Sequence, residues 1–228
     1  MWRHGDMPNE PLIAWTRVPR DRTMELACAS GVRLIVMPAL DVEPTINAND
    51  VRDIVNNVKC IVVTSATTVD ILIAHGLIDI VRGKSALVVG KTTAMRLAEH
   101  GADIRLSSSS AEDFRGVIAA YDRPDVLHLG GDHVAVELGV RRLSLYRTIM
   151  TGPLLPPVTA TAFFSPRGVR SVLLRTPPDH CGLLCAIGQT TARALEAAAG
   201  RIDIVSDYHD ETRLLRAIID TLRRRSAL

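Results

Sequence analysis

Hydroxyl-bearing residues and glycines recur in this chain where apolar runs give way to amphipathic helices. Val88-Val89-Gly90-Lys91-Thr92-Thr93-Ala94 has a near copy in Ala186-Ile187-Gly188-Gln189-Thr190-Thr191-Ala192. Thr64-Ser65, Ser107 to Ser110, Gly130-Gly131, Ser165 and Ser206 occupy comparable turns. The first N–H groups of a helix are unpaired and its dipole is positive there, so such turns suit carboxylates or phosphates. Taken singly, each is explained as well by helix capping. Two matching sets weaken the reading as caps alone and keep a ligand-binding role open beside it. Tyr146 stands just before a proline-rich crossing, where it is either a packing tyrosine with a satisfied hydroxyl or part of a site.

Other chemistries lack their residues. Gly90-Lys91-Thr92 is not a P-loop, because the motif needs a glycine five positions before Gly90 and Ser85 stands there. No Gly-x-Gly-x-x-Gly fingerprint follows a strand, and Ser165 precedes Pro166 rather than sitting in a nucleophile elbow. His75, His100, His128, His133, His180 and His209 have no metal-ligand spacing and read as surface or internally bonded histidines. Cys28, Cys60, Cys181 and Cys185 lie mostly in apolar segments and read as buried, reduced thiols.

The elements that must position these residues follow a βαβ rhythm. Strands are expected at 12–15, 34–36, 60–64, 86–89, 104–106, 126–129, 143–147, 162–164, 183–187 and 202–205. Helices are expected near 22–29, 50–57, 169–174 and 211–223, with others opened by Ser65 and Thr67, by the two Gly-x-Thr-Thr-Ala turns, the first stopping at His100 and Gly101, and by Ser107 to Ser110, with Glu112 and Asp113 in its first turn. Asp41 to Pro44 reads as a connector, and Gly130-Gly131-Asp132 as a strand-to-helix turn opening a brief helix before Leu143. Gly152, Pro153, Pro156 and Pro157 form a stiff second crossing.

The paired turns keep company with other matches. Thr64-Ser65 aligns with Phe164-Ser165, and Ser110-Ala111-Glu112-Asp113 with His209-Asp210-Glu211-Thr212. A separation of 100 positions between Ser65 and Ser165 is too long for a solenoid repeat. The expected architecture is α/β, with two similar domains of parallel sheet flanked by helices and joined by a two-strand linker. Residues 1–37 with 155–228 form a discontinuous domain and 38–154 an inserted one, because the last part of the chain is short of strands.

Composition agrees with this class. Hydrophobic residues make up 47% and aromatics only 4%, which suits buried parallel sheets and leaves few platforms for stacking nucleic acid bases. With 27 basic and 25 acidic residues the net charge is +2, so neither nucleic acid nor an anionic membrane is called for. The first residues, Met1 to Asp6, lack the apolar core of a signal peptide and no run spans a bilayer, so a cytoplasmic protein is expected.

Set in order, these pieces resemble the uroporphyrinogen-III synthase (HemD-like) family. The matching residues are Thr16-Arg17, Val63-Thr64-Ser65-Ala66, Val89-Gly90-Lys91-Thr92-Thr93-Ala94, Ser109-Ser110-Ala111-Glu112-Asp113, Leu127-His128-Leu129-Gly130-Gly131-Asp132, Tyr146, Phe164-Ser165-Pro166 with Gly168-Val169, and Ile187-Gly188-Gln189-Thr190-Thr191-Ala192. The resemblance implies a cofactor-free, monomeric lyase of tetrapyrrole biosynthesis. Linear hydroxymethylbilane, with eight carboxylates, would lose water and close to a macrocycle with its last pyrrole inverted. It implies that Tyr146 assists departure of the hydroxyl. It also implies that Thr16, Arg17, Thr64, Ser65, Gly90, Thr92, Thr93, Ser109, Gly130, Ser165, Gly188, Thr190 and Thr191 bind substrate. Uncatalysed closure gives the other isomer, so much of the task is positioning.

Two further readings stay open. One is a catalytically silent HemD-like domain that senses a tetrapyrrole or another polyanion, favoured by the short 130–142 segment. The other is a hinge-closing two-domain protein that binds a small anion.

Overall fold

The computed structural model describes residues 10–134, 136–208 and 210–226. His209 and the first nine residues, including the stretch read for a leader, lie outside the described residues. Contacts divide the chain into two compact units, residues 1–41 with 149–228, and residues 42–148.

The chain opens in the first unit with β1 (Leu12–Trp15), α1 (Asp21–Ala29) and β2 (Arg33–Val36). It continues through β3 (Leu40–Pro44) into α2 (Ala48–Asn56), β4 (Cys60–Val63), α3 (Ala66–Ala74), β5 (Ser85–Val89), α4 (Lys91–Glu99), β6 (Asp103–Ser108), α5 (Arg115–Ile118), β7 (Val126–Gly131) and β8 (Arg141–Met150). It then returns through β9 (Ala160–Phe163), α6 (Pro166–Leu173), β10 (Leu183–Ala186), α7 (Gln189–Ala199), β11 (Ile204–Val205) and α8 (Glu211–Ser226). The architecture is α/β, with sheets dominated by parallel strands and flanked by helices.

In unit 42–148 the sheet order is β3-β8-β7-β4-β5-β6. The strand β4 reads Cys-Ile-Val-Val and is buried at every position, because helices or loops cover both faces. Alternation sorts its side chains. Ile61 and Val63 join Val88, Leu127 and Leu129 beneath α2, α3 and α4, whereas Cys60 and Val62 join Leu87, Val126, Phe114 and Leu138 on the opposite face. Asn47 and Ser65 cap α2 and α3 through side-chain oxygens that accept from Asn49 and Thr67 N–H groups at 3.0 and 3.2 Å.

In the other unit the order is β11-β10-β9-β1-β2. Ile13, Trp15, Ala162 and Cys185 pack against α1 and α8, while Ala14, Phe163, Leu184 and Ala186 pack against α6 and α7.

Three readings of local structure need correction. The segment 41–44 is not a connector but part of β3, an edge strand in which Leu40 and Val42 are half-buried and Asp41 and Glu43 exposed. An edge tolerates both the charges and Pro44. Gly130-Gly131-Asp132 opens no helix: both glycines belong to β7, and the described residues of 132–140 are non-helical. Strands β7 and β8 are parallel, with Leu127 opposite Arg141 and Gly131 opposite Tyr146, so the connection must return along the whole strand. About nine residues of helix rise roughly 14 Å and leave none for the turns, while extended chain spans twice that. Finally, Cys28 is exposed on α1, unlike the buried Cys60, Cys181 and Cys185.

Candidate functional site

In an open α/β sheet a ligand meets the C-terminal ends of the strands where the strand order reverses. In unit 42–148 that point lies between β4 and β7, because β5 and β6 step away from β4 in one direction and β7 and β8 lie in the other. A cavity of about 430 Å³ opens there. The turn after β4 contributes Thr64 and Ser65, the turn after β6 contributes Ser109 and Ser110, β7 contributes His128 and Gly131, and β8 contributes Tyr146. The 132–140 crossover adds His133, Val134 and Val136.

Thr64 Oγ and His128 Nε2 share a hydrogen bond of 3.1 Å across the reversal point. Burial holds the His128 imidazole well below its usual range, at about 4, with the nearby Arg142 guanidinium adding to the effect. It is therefore neutral at physiological pH, able to donate from one nitrogen and accept at the other. Sequence reasoning passed over this residue as internally satisfied, which it is, yet it also lines the cavity. The signal available was a single polar side chain near the C-terminal end of an otherwise apolar parallel strand.

Tyr146 is 7% exposed, set among the side chains of β4, β7 and β8. A Cβ on Gly131 would lie 2.6 Å from Tyr146 Cε2 and 2.9 Å from Cζ, so only glycine lets the phenol ring occupy this place. The Tyr146 carbonyl accepts hydrogen bonds from Asp132 N–H at 2.8 Å and Ser144 Oγ at 3.1 Å. The reading of Tyr146 at a crossing is thus refined: it sits within β8, beside β7.

Ser65 caps the nine-residue helix α3, which directs a positive dipole end into the cavity. Ser110 caps the next turn by accepting from Glu112 N–H at 3.2 Å, and Ser108 Oγ donates to Asp113. The site thus offers hydroxyls, the neutral His128 imidazole, the His133 ring and a phenol beside apolar valines. Such a set can bind carboxylates by hydrogen bonds and give a hydrogen bond to a departing hydroxyl.

The remaining expected residues divide. Gly90 caps α4 at φ 91, a conformation that favours glycine, and Thr93 behind it is buried while Thr92 is exposed. Gly130 lies in β7, where an added Cβ would touch His128 Nε2 at 3.6 Å. Neither the Gly90–Thr93 turn nor Gly130 lines the cavity that holds Tyr146.

In the other unit the strand order reverses between β1 and β9, and Thr16, Arg17 and Ser165 gather there. Thr16 Oγ donates to the Ala162 carbonyl at 2.7 Å, the Arg17 guanidinium lies 5.1 Å from the centre of the Phe164 ring, and Ser165 Oγ accepts from Gly168 N–H at 3.0 Å. The two glycine turns are not alike in backbone: Gly188 has φ 176, ordinary extended chain, where Gly90 is left-handed. Thr190 is exposed at the start of α7 and Thr191 buried.

The family model described as uroporphyrinogen-III synthase HemD matches residues 21–216. No curated protein sequence matches the chain. Among solved structures, a mutant uroporphyrinogen III synthase from Thermus thermophilus matches at 17% identity with a TM-score of 0.64, covering 94% of this chain and 99% of its own. The wild-type enzyme of the same bacterium matches at 19% identity with a TM-score of 0.53, covering 95% and 99%. At these identities the likeness is one of fold. No helix among the described residues is long and apolar enough to cross a membrane.

Proposed function

Because the chain belongs to the uroporphyrinogen-III synthase HemD family, we propose that it closes linear hydroxymethylbilane to uroporphyrinogen III, with loss of water and inversion of the terminal pyrrole. The observation that carries this reading is the cavity at the strand-order reversal of unit 42–148, which gathers Thr64, Ser65, Ser109 and Tyr146.

In this account the Tyr146 phenol donates a hydrogen bond to the departing hydroxyl, leaving a cation on the first ring. The terminal pyrrole attacks it through its substituted position, and the resulting spiro species fragments and recloses. Little covalent chemistry falls to the protein, and the gain comes from holding one geometry over another. Thr64, Ser65 and Ser109 bind carboxylate side chains near the reacting rings, through hydroxyls and the α3 N-terminus. Thr16, Arg17, Ser165, Gly188, Thr190 and Thr191 serve other carboxylates from the first unit, and Gly90, Thr92 and Thr93 serve those reaching α4. We place the protein as a monomer in the cytoplasm, with no added cofactor.

The non-catalytic sensor reading drew on the short 130–142 segment. That segment lines the cavity with His133, Val134 and Val136, so its brevity leaves the Tyr146 site walled. The test is Tyr146→Phe in an assay that separates the oxidised products by isomer. Formation of isomer III should slow about tenfold or more, the size expected for loss of one hydrogen bond worth about 1.4 kcal/mol in the transition state. An unchanged rate removes Tyr146 from the chemistry.

A further inference from the structure

The 132–140 crossover is short, has no helix over its described residues, and yet forms one wall of the cavity. A connection without regular structure must satisfy its carbonyls elsewhere. Three arginines do so. Arg115 donates to the Glu137 carbonyl at 3.2 Å, Arg123 to the Gly139 carbonyl at 3.3 Å, and Arg142 Nη2 to the carbonyls of Gly131 and Asp132 at 3.2 and 3.3 Å.

Of the three, Arg142 acts at the cavity end. Gly131 is the residue against which the Tyr146 ring lies, and Asp132 is bonded to β8 twice, donating its N–H to the Tyr146 carbonyl at 2.8 Å and accepting from Thr148 N–H at 3.0 Å. The other end of the guanidinium meets Glu137 at 3.4 Å, an exposed pair of small energetic weight.

We propose that Arg142 is a positioning residue, which fixes the Tyr146 phenol in the cavity by holding Gly131, Asp132 and the crossover against β8. The assignment rests on the function proposed above. It acts through backbone carbonyls: the two N–H groups of Nη2 reach both of them while Nη1 meets Glu137, whereas a lysine brings a single nitrogen and keeps only part of this set.

The experiment compares the full-length wild type with Arg142→Met and Arg142→Lys. Amide hydrogen exchange at Asp132 reads the clamp itself. We expect at least tenfold faster exchange there in Arg142→Met and no change at the β4 amides. Isomer-resolved kinetics read its consequence: kcat for isomer III falls about tenfold with KM within about twofold, and Arg142→Lys recovers part of the loss. The His128 imidazole, followed by NMR, should titrate above its wild-type value in Arg142→Met, because a neighbouring positive charge is gone. Unchanged Asp132 exchange, or a wild-type kcat in a folded Arg142→Met protein, overturns the proposal alone. A wild type that makes only isomer I at the blank rate overturns the reading of function, and the catalytic part of the proposal with it.

Discussion

His128 reports on the site through its protonation. Its folded value near 4 lies below the ordinary 6.5, chiefly because the ring is buried. Between those values the unfolded chain binds a proton that the folded chain refuses. The stability contribution is therefore complete above pH 6.5 and is lost as pH falls toward 4, to a limit of about 3 kcal/mol. His128→Gln keeps a polar partner for Thr64 and removes the titration. Denaturant unfolding at pH 7 and pH 4.5 should show a fall in stability smaller in the variant than in the wild type by roughly 2 kcal/mol. Equal falls in the two proteins would contradict a buried, neutral imidazole. Neighbouring Tyr146 depends on an absence: the missing side chain of Gly131 makes room for its ring.

At the scale of elements, the helix that opens into the cavity depends on a single cap. Ser65→Ala removes the bond to Thr67 N–H and should lower stability by about 1 kcal/mol. It should also raise KM for hydroxymethylbilane severalfold, because the cap and the helix N-terminus both face the cavity. Loss of stability with an unchanged KM would make Ser65 a cap only. Much of this level was legible in the residues. Apolar runs such as Cys60 to Val63 announce buried parallel strands, and Ser65 and Ser165 announce the helices they cap. What escaped was non-local. The charges of Asp41 and Glu43 hide β3, because an edge strand is polar on its open side. Gly131-Asp132 carries the local signal of a helix start, but the distance back along β7 to the start of β8 overrides it. The approach of Thr64, His128 and Tyr146 depends on strand order, which no stretch of a few residues encodes. Likewise, Ile13 pairs with Ala160, and only the scarcity of strands after Pro157 hints at that register.

For the whole molecule, the charge is the constraint that shapes the account. Under the proposed function, a chain of net charge +2 must hold a substrate with eight carboxylates without a strongly basic surface. In that reading, hydroxyls and helix N-termini at strand ends would meet that need, and the family match is to uroporphyrinogen-III synthase HemD. Since spontaneous closure yields isomer I, product identity separates catalysis from mere binding. The decisive measurement is the isomer distribution after the full-length chain is mixed with fresh hydroxymethylbilane and the product oxidised. The account predicts isomer III as the main product, formed faster than the blank; isomer I alone, at the blank rate, would contradict it.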